Sequence, residues 1–286
     1  MAAELRVFAV PGIPDITPGA ELGALLAEAV TRAGLAIDAG DVFVIAQKIV
    51  SKAEGALVRL DEVVPSPLAE QWAAAHGKDP RVVEVIFRES RRIVRMDRGI
   101  LIAETRHGFV CANAGVDASN VAPGFVTVLP RDADASAERL RDALCRATLS
   151  RLRSLEPSAS SGEARRSAGG AKAAGSSSDP ASPLEPGCAV IISDTFGRPW
   201  REGAVNVAIG VAGLRPLIDY RGCVDPYGRP LQSTEIALAD ELAGAAEIVT
   251  RKTARTPVAI VRGAAEWSGE GSGRMLVREA GRDLFR

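Results

Sequence analysis

Val42-Phe-Val-Ile-Ala-Gln-Lys-Ile-Val-Ser-Lys52 is the most informative stretch of the chain. Val42 to Ala46 is an unbroken apolar run of strand length, and a strand with no polar face is one buried on both sides. Sheets with buried strands are covered by helices, so the run points to an α/β class, mixed α+β in detail. The run passes at once into Gln47, Lys48, Ser51 and Lys52. One helical turn or a tight loop places Lys48 and Lys52, four residues apart, on one side of the strand end, a geometry suited to nucleotide phosphates. Two lysines on a solvated face are the plainer alternative.

N-terminal to this stretch, Leu5 to Val10 alternates as a short strand that Pro11-Gly-Ile-Pro-Asp15 must end, because two prolines and a glycine cannot continue a ladder. Leu22, Leu25, Leu26 and Val30 recur at helical spacing between Thr17-Pro18 and Gly34. Further on, the patterns predict helices at Leu68 to His76 and Arg81 to Arg91, strands at Gly99 to Glu104 and Gly108 to Ala112, and a helix capped by Asp134 or Ser136 that runs to about Leu152. Ala189 to Ile192 resumes as a buried strand. Val205 to Val211, a helix from about Ser233 to Ala246 and the strand Val258 to Val261 follow.

Residues 154–187 are Ser, Gly, Ala and Pro with scattered Arg and Glu and almost no branched apolar residue. Such a composition cannot bury enough surface to offset its ordering entropy, so it predicts a disordered insertion. The chain therefore reads as one domain, 1–286, in two α/β halves of about 1–153 and 188–286.

Hydrophobic residues at 47% and charged residues at 25% are ordinary for a globular protein and exclude wholesale disorder. Lys plus Arg at 35 against Asp plus Glu at 36 removes the broad positive field of a dedicated nucleic-acid or anionic-membrane binder, so any anion site is local. The four cysteines, Cys111, Cys145, Cys188 and Cys223, have neither metal nor disulfide-framework spacing and read as reduced thiols. No window approaches the roughly 18 apolar residues of a membrane span, and the N-terminus lacks a basic leader. The expectation is a cytoplasmic protein with no nucleic-acid and no membrane partner.

Three stretches carry chemistry. Asn113-Ala-Gly-Val-Asp-Ala-Ser-Asn120 presents Asn113, Asp117, Ser119 and Asn120 after an apolar strand, either as ligands or as an Asx-rich turn that satisfies its own backbone. Ser193-Asp194-Thr195 ends a buried strand with a carboxylate and a hydroxyl, oxygen donors that suit magnesium at the place where sheets meet ligands. Gly197, Arg198 and Arg201 follow in what reads as one short loop, able to grip phosphate or carboxylate or simply solvated. Gln47 to Gly55 is the third. There is no GxxxxGK[ST], GxGxxG or GxSxG, and His76 and His107 lack partners at metal or triad spacing. Asp225 to Arg229 reads as a turn, and Glu266 to Gly273 as a flexible loop or a lid.

In combination, Gly12-Ile-Pro-Asp-Ile16, residues 46–55 (AQKIVSKAEG), 113–120 (NAGVDASN), 193–210 (SDTFGRPWREGAVNVAIG) and 225–229 (DPYGR) resemble the coenzyme F420 gamma-glutamyl ligase family over nearly the whole chain except 154–187. The resemblance implies a GTP-dependent ligase that joins L-glutamate to the deazaflavin coenzyme F420 precursor through an acyl phosphate, then adds further gamma-linked glutamates. It also implies magnesium or manganese, a response to potassium, GTP as co-substrate, and an intertwined homodimer with mixed sheets and a fold of its own. Carried over by motif position, Asp117, Asp194 and Thr195 become metal ligands. Ile13, Pro14, Asp15, Ile16, Gln47, Lys52 and Asn120 become GTP contacts, with Lys52, Asp117 and Asp194 as the catalytic set and Lys48 facing solvent or the dimer. Where the resemblance implies a Gly-rich stretch before Pro257, this chain has Thr250-Arg-Lys-Thr-Ala-Arg-Thr256. A ligase of the same fold acting on a variant deazaflavin tail or another carboxylate, and a nucleotide-binding regulatory homologue without turnover, are the alternatives.

Overall fold

A computed structural model describes residues 4–155 and 187–283. The predicted insertion lies almost wholly outside the described residues, and its first two positions still belong to a helix. Arg6–Ala9 forms β1, and Leu22–Arg32 forms α1, which buries Leu22, Leu26, Ala29 and Val30. Val42–Ala46 is β2, followed without a break by α2, Gln47–Ala53. After β3, Leu57–Arg59, come α3, Pro67–His76, and α4, Pro80–Glu89. Both helices open on a proline, whose missing N–H costs nothing there, and are capped by Ser66 and Asp79 accepting from the amides of Ala69 and Arg81.

β4, Ser90–Asp97, β5, Ile100–Thr105, and β6, Val110–Ala112, form an antiparallel three-stranded sheet. β4 escapes the sequence reading, which gives its first residues to the preceding helix, because two register shifts break its alternation and remove the period-two signal. β7, Phe125–Thr127, pairs with β3. Helix α5, Ala133–Leu155, is capped by Asp132, whose Oδ1 accepts from Ala135 N at 3.0 Å. The two predicted caps serve elsewhere: Asp134 Oδ1 accepts from Val211 N at 2.9 Å, and Ser136 Oγ donates to Glu54 Oε1.

β8, Ala189–Arg198, and β9, Arg201–Ala212, make one long hairpin that turns at Pro199-Trp200. The sequence reads only the apolar inner parts as strands, because the outer polar parts leave the core and have no buried face to impose alternation. Gly197, Arg198 and Arg201 therefore belong to the ribbon rather than to a loop, and Arg198 donates to the carbonyls of Glu202 and Gly203 at its tip. β10, Ile218–Asp219, pairs with β11, Glu235–Ile236; α6, Leu238–Thr250, and β12, Val258–Arg262, complete the fold. Ser233 thus precedes a strand, and the last helix begins five residues later than its polar lead-in suggests.

The central sheet has the order β1-β12-β2-β8-β9, with β2 and β8 parallel and the other neighbours antiparallel. Strands from both sides of residues 156–186 build it. One face, through Phe43, Ile45, Val190, Ile192 and Ile260, packs on α1 and α5. The other, through Val42, Val44, Ile191 and Val261, packs on α6. Hence the unbroken apolar run of β2: each side chain has a helix opposite it, and each such burial contributes about 1.5–3 kcal/mol. A third core joins α3 and α4 to β5. Glu266 to Gly273 is packed rather than lid-like, since a Cβ at Gly271 would stand 2.3 Å from Leu214 O and Gly269 N donates to Gly213 O. Among the described residues no helix is long and apolar enough to cross a membrane.

Candidate active site

β2 ends opposite Ser193, where Ala46 pairs with it, and beyond that point β8 keeps only β9 as a neighbour. The lost neighbour opens a cavity of about 850 Å³ at the carboxyl ends of two parallel strands, where open sheets expose ligand sites. Ile13, Pro14, Asp15 and Ile16 form one wall, Gln47 and Lys52 come from α2, Asp117 and Asn120 from the Asx-rich turn, and Asp194 and Thr195 from β8. The residues that the resemblance assigns to nucleotide and metal thus line one cavity, whereas Asn113 and Ser119 of the Asx-rich turn are not part of its lining. Neither are Arg198 and Arg201, nor the Asp225 turn, which closes on itself through Asp225 N to Arg229 O at 2.9 Å. His76 stacks on Trp72, and His107 contacts the Arg131 carbonyl.

The Asx-rich turn is strained and tied to its neighbours by hydrogen bonds. Asn113, Ala114 and Asn120 have φ of 54°, 51° and 56°, a left-handed backbone that costs roughly 1–2 kcal/mol for a residue such as alanine. A two-way backbone bridge from Asp117 to Thr127, reinforced by Thr127 Oγ1 donating to Asp117 O at 3.0 Å, fixes the turn to β7. The Asp117 carboxylate accepts from Ser119 N at 2.6 Å, Ser119 Oγ at 3.0 Å and Lys48 Nζ at 2.7 Å. Burial works against its ionisation, but the Lys48 and Ser119 hydrogen bonds outweigh it and hold its pKa below the usual carboxylate value. Lys48 thus turns inward, contrary to expectation, because α2 is a helix and its face toward the turn supplies the counter-charge of that carboxylate.

Asp194 sits in the opposite electrostatic state. Burial raises its pKa to about 6, and the charge of Asp117 adds to the rise against the backbone hydrogen bond from Thr195 N at 2.8 Å. The two carboxylates therefore share one field. Thr195 Oγ1 donates to Asn206 Oδ1 at 2.8 Å across the hairpin, and Asn206 Nδ2 donates to Glu247 Oε2 at 2.9 Å on α6. Asn206 and Glu247, which also line the cavity, were invisible in the sequence: the signal was the Thr195–Asn206 cross-strand register, readable only once Pro199-Trp200 is taken as a hairpin turn.

Lys52 Nζ lies 2.8 Å from Asp15 Oδ1, and its hydrogen bond lowers the Asp15 pKa. Gln47 is buried, with Ser51 Oγ 2.8 Å from its Oε1. Residues 250–257 close the cavity with Arg251, Lys252 and Arg255 in place of the anticipated glycines. Arg251 and Arg255 nonetheless keep the positive φ a glycine would take, 51° and 55°. Lys252 Nζ stands 3.5 Å from Thr195 Oγ1.

Among the described residues no three His, Cys, Asp or Glu side chains converge as a complete metal shell. The donors at hand, two carboxylates and a hydroxyl, are all oxygen. This set fits a hard divalent cation that keeps waters and takes phosphate oxygens as its remaining ligands.

The family described as F420-0:Gamma-glutamyl ligase matches residues 12–155 and 183–263, leaving out 156–182. The coenzyme F420:L-glutamate ligase of Methanothermobacter thermautotrophicus is 41% identical over 286 residues, 99% of each chain. That of Methanopyrus kandleri is 43% identical over 287 residues, 99% of this chain and 98% of the other. That of Methanocaldococcus jannaschii is 40% identical over 251 residues, 87% and 86% of the two chains. Likeness of this extent, carried through the strands and turns that build the cavity, leaves one conclusion: the chain belongs to the F420-0:gamma-glutamyl ligase family.

Proposed function

We propose that the protein joins the α-amino group of L-glutamate to the terminal carboxylate of the deazaflavin coenzyme F420 precursor at the expense of GTP, and then extends the product by gamma linkage. The observation that carries this reading is the convergence of Gln47, Lys52, Asp117, Asn120, Asp194 and Thr195 on one cavity, in a chain whose relatives bear the name of such ligases.

Amide formation from a carboxylate needs a leaving group better than hydroxide. A carboxylate oxygen of the precursor attacks the γ-phosphorus, the bond to the β-phosphate oxygen breaks, and GDP departs. The glutamate nitrogen then attacks the acyl carbon, inorganic phosphate leaves and the nitrogen gives up a proton. Lys52 offers a point charge to the phosphates, and the cationic wall of Arg251, Lys252 and Arg255 adds to it. Lys48 keeps Asp117 ionised and oriented, while Asn206 and Glu247 fix the Thr195 hydroxyl. Asp117, Asp194 and Thr195 would hold magnesium or manganese, which when bound supplies charge neutralisation at the phosphoryl oxygens. No enzyme nucleophile is needed, and positioning with electrostatics supplies the rate.

A homodimer and stimulation by potassium belong to the same reading. Trp200 at the hairpin tip and Tyr227 in the Asp225–Arg229 turn are 81% and 88% exposed, aromatic surface that an interface would cover. Light scattering tests the dimer, and replacement of potassium by sodium tests the ion. The deciding experiment supplies the non-glutamylated precursor, L-glutamate, GTP and magnesium, and follows product mass and GDP. One GDP per glutamyl residue added is the expected result. Nucleotide binding without product would put a regulatory homologue in its place, and turnover only with another carboxylate would change the substrate.

A further inference from the structure

Cys145, in the fourth turn of α5, and Cys188, one residue before β8, bring their sulfurs within 3.5 Å of each other although they lie 43 positions apart in sequence. Cys188 is buried and Cys145 is half-buried, so Cys145 is the more accessible of the pair. Neither takes part in the cavity chemistry. Cys111 is buried and Cys223 is exposed, and no thiol contact joins either to another cysteine among the described residues.

We propose that Cys145 and Cys188 form a reversible disulfide site, oxidised by low-molecular-weight disulfides, that staples α5 to the start of β8. The step balances without further reagents. The Cys145 thiolate attacks one sulfur of the small disulfide and releases a small thiolate. Cys188 then gives up its proton to that thiolate and attacks Cys145 Sγ, releasing the second small thiol. Two protein thiols are oxidised by two electrons, and one small disulfide is reduced to two thiols.

The local electrostatics divide the roles. The hydrogen bond shared with the Cys188 thiol lowers the pKa of Cys145, the more exposed of the two, against burial and with help from the Cys188 amide and Arg141. The same shared proton raises the Cys188 pKa, and burial raises it further, so one sulfur is the nucleophile and the other the held proton. Once Cys145 is capped as a mixed disulfide its negative charge is gone, and Cys188 ionises more readily at the distance where it must react. The sulfurs need to approach by only about 1.5 Å to bond.

The test uses the full-length protein and oxidised glutathione, with peptide mapping by mass spectrometry, and needs neither nucleotide nor deazaflavin. Its failure therefore leaves the ligase reading untouched. The expected product is a Cys145–Cys188 cross-linked peptide lighter by two hydrogens and returned by dithiothreitol. The oxidised protein should melt about 5–10 °C higher, because the link closes a long loop in the unfolded chain. Cys188→Ser should trap glutathione on Cys145, and Cys145→Ser should leave Cys188 unmodified. Modification confined to Cys223, a mixed disulfide on Cys145 that persists in the wild type, or a link to Cys111 would each overturn the proposal.

Discussion

Lys48 Nζ stands 2.7 Å from Asp117 Oδ2, with the lysine side chain 15% and the aspartate side chain 34% exposed. This partly buried pair ties α2 to the Asx-rich turn, and it sets the charge balance of the cavity. Lys48→Met keeps the apolar stem and leaves Asp117 without its cation. The expected cost is about 1–2 kcal/mol, or about 3–5 °C in Tm, with turnover down at least about tenfold. Thermal melts within one degree of the wild type would show that the pair adds nothing to the fold.

Lys52 makes the contrasting case. Its partner Asp15 is 87% exposed, so loss of the pair costs little stability. Lys52→Ala should raise the GTP dissociation constant by about 10–100-fold while the Tm of the ligand-free protein stays within about two degrees. Titration calorimetry decides it, and an unchanged GTP affinity would remove Lys52 from the phosphate site.

The Thr195–Asn206–Glu247 chain predicts a different kinetic signature. Asn206→Ala frees the Thr195 hydroxyl and strips Glu247 of its donor, so kcat should fall about 10–100-fold with GTP affinity little changed. Glu247→Gln retains an acceptor oxygen for Asn206 and should be milder. A fall in GTP affinity as large as the fall in kcat would mean that Asn206 serves binding rather than the orientation of Thr195.

The inner parts of the central strands were legible in the sequence, β2 and β8 as apolar runs because both of their faces are buried, whereas Ile13 to Ile16, Gln47 and Asn120 received their place at the nucleotide only through the motif resemblance. Ser90–Asp97 was illegible because bulges erased its alternation, and Arg201–Ala204 because it pairs outside the core. The direction of Lys48 was hidden for another reason. Two lysines four apart share a helix face, and only the position of a turn 69 residues later decides which of them meets Asp117. Asn206 and Glu247 were hidden because their role depends on the β9 register against β8 and on the packing of α6, and neither leaves a local pattern.

Asp194 offers the sharpest test, because its two roles pull stability in opposite directions. Its folded pKa of about 6 lies above the unfolded value near 3.9, so between these values the folded state holds more protons than the unfolded. The contribution of this group is thus most favourable below about pH 4 and is lost as pH rises through about 6. At pH 7.5, in chelator, the ionised carboxylate opposes folding, and Asp194→Asn should raise Tm. The side chain borders open solvent, so the gain is discounted to about 1–2 kcal/mol, or about 3–5 °C, and should shrink toward zero near pH 4.5. Added magnesium should reverse the order at pH 7.5, stabilising the wild type and not the variant, while turnover of the variant falls by orders of magnitude. An Asp194→Asn protein that melts with the wild type at every pH, with or without magnesium, would remove both the buried charge and the ion from this position.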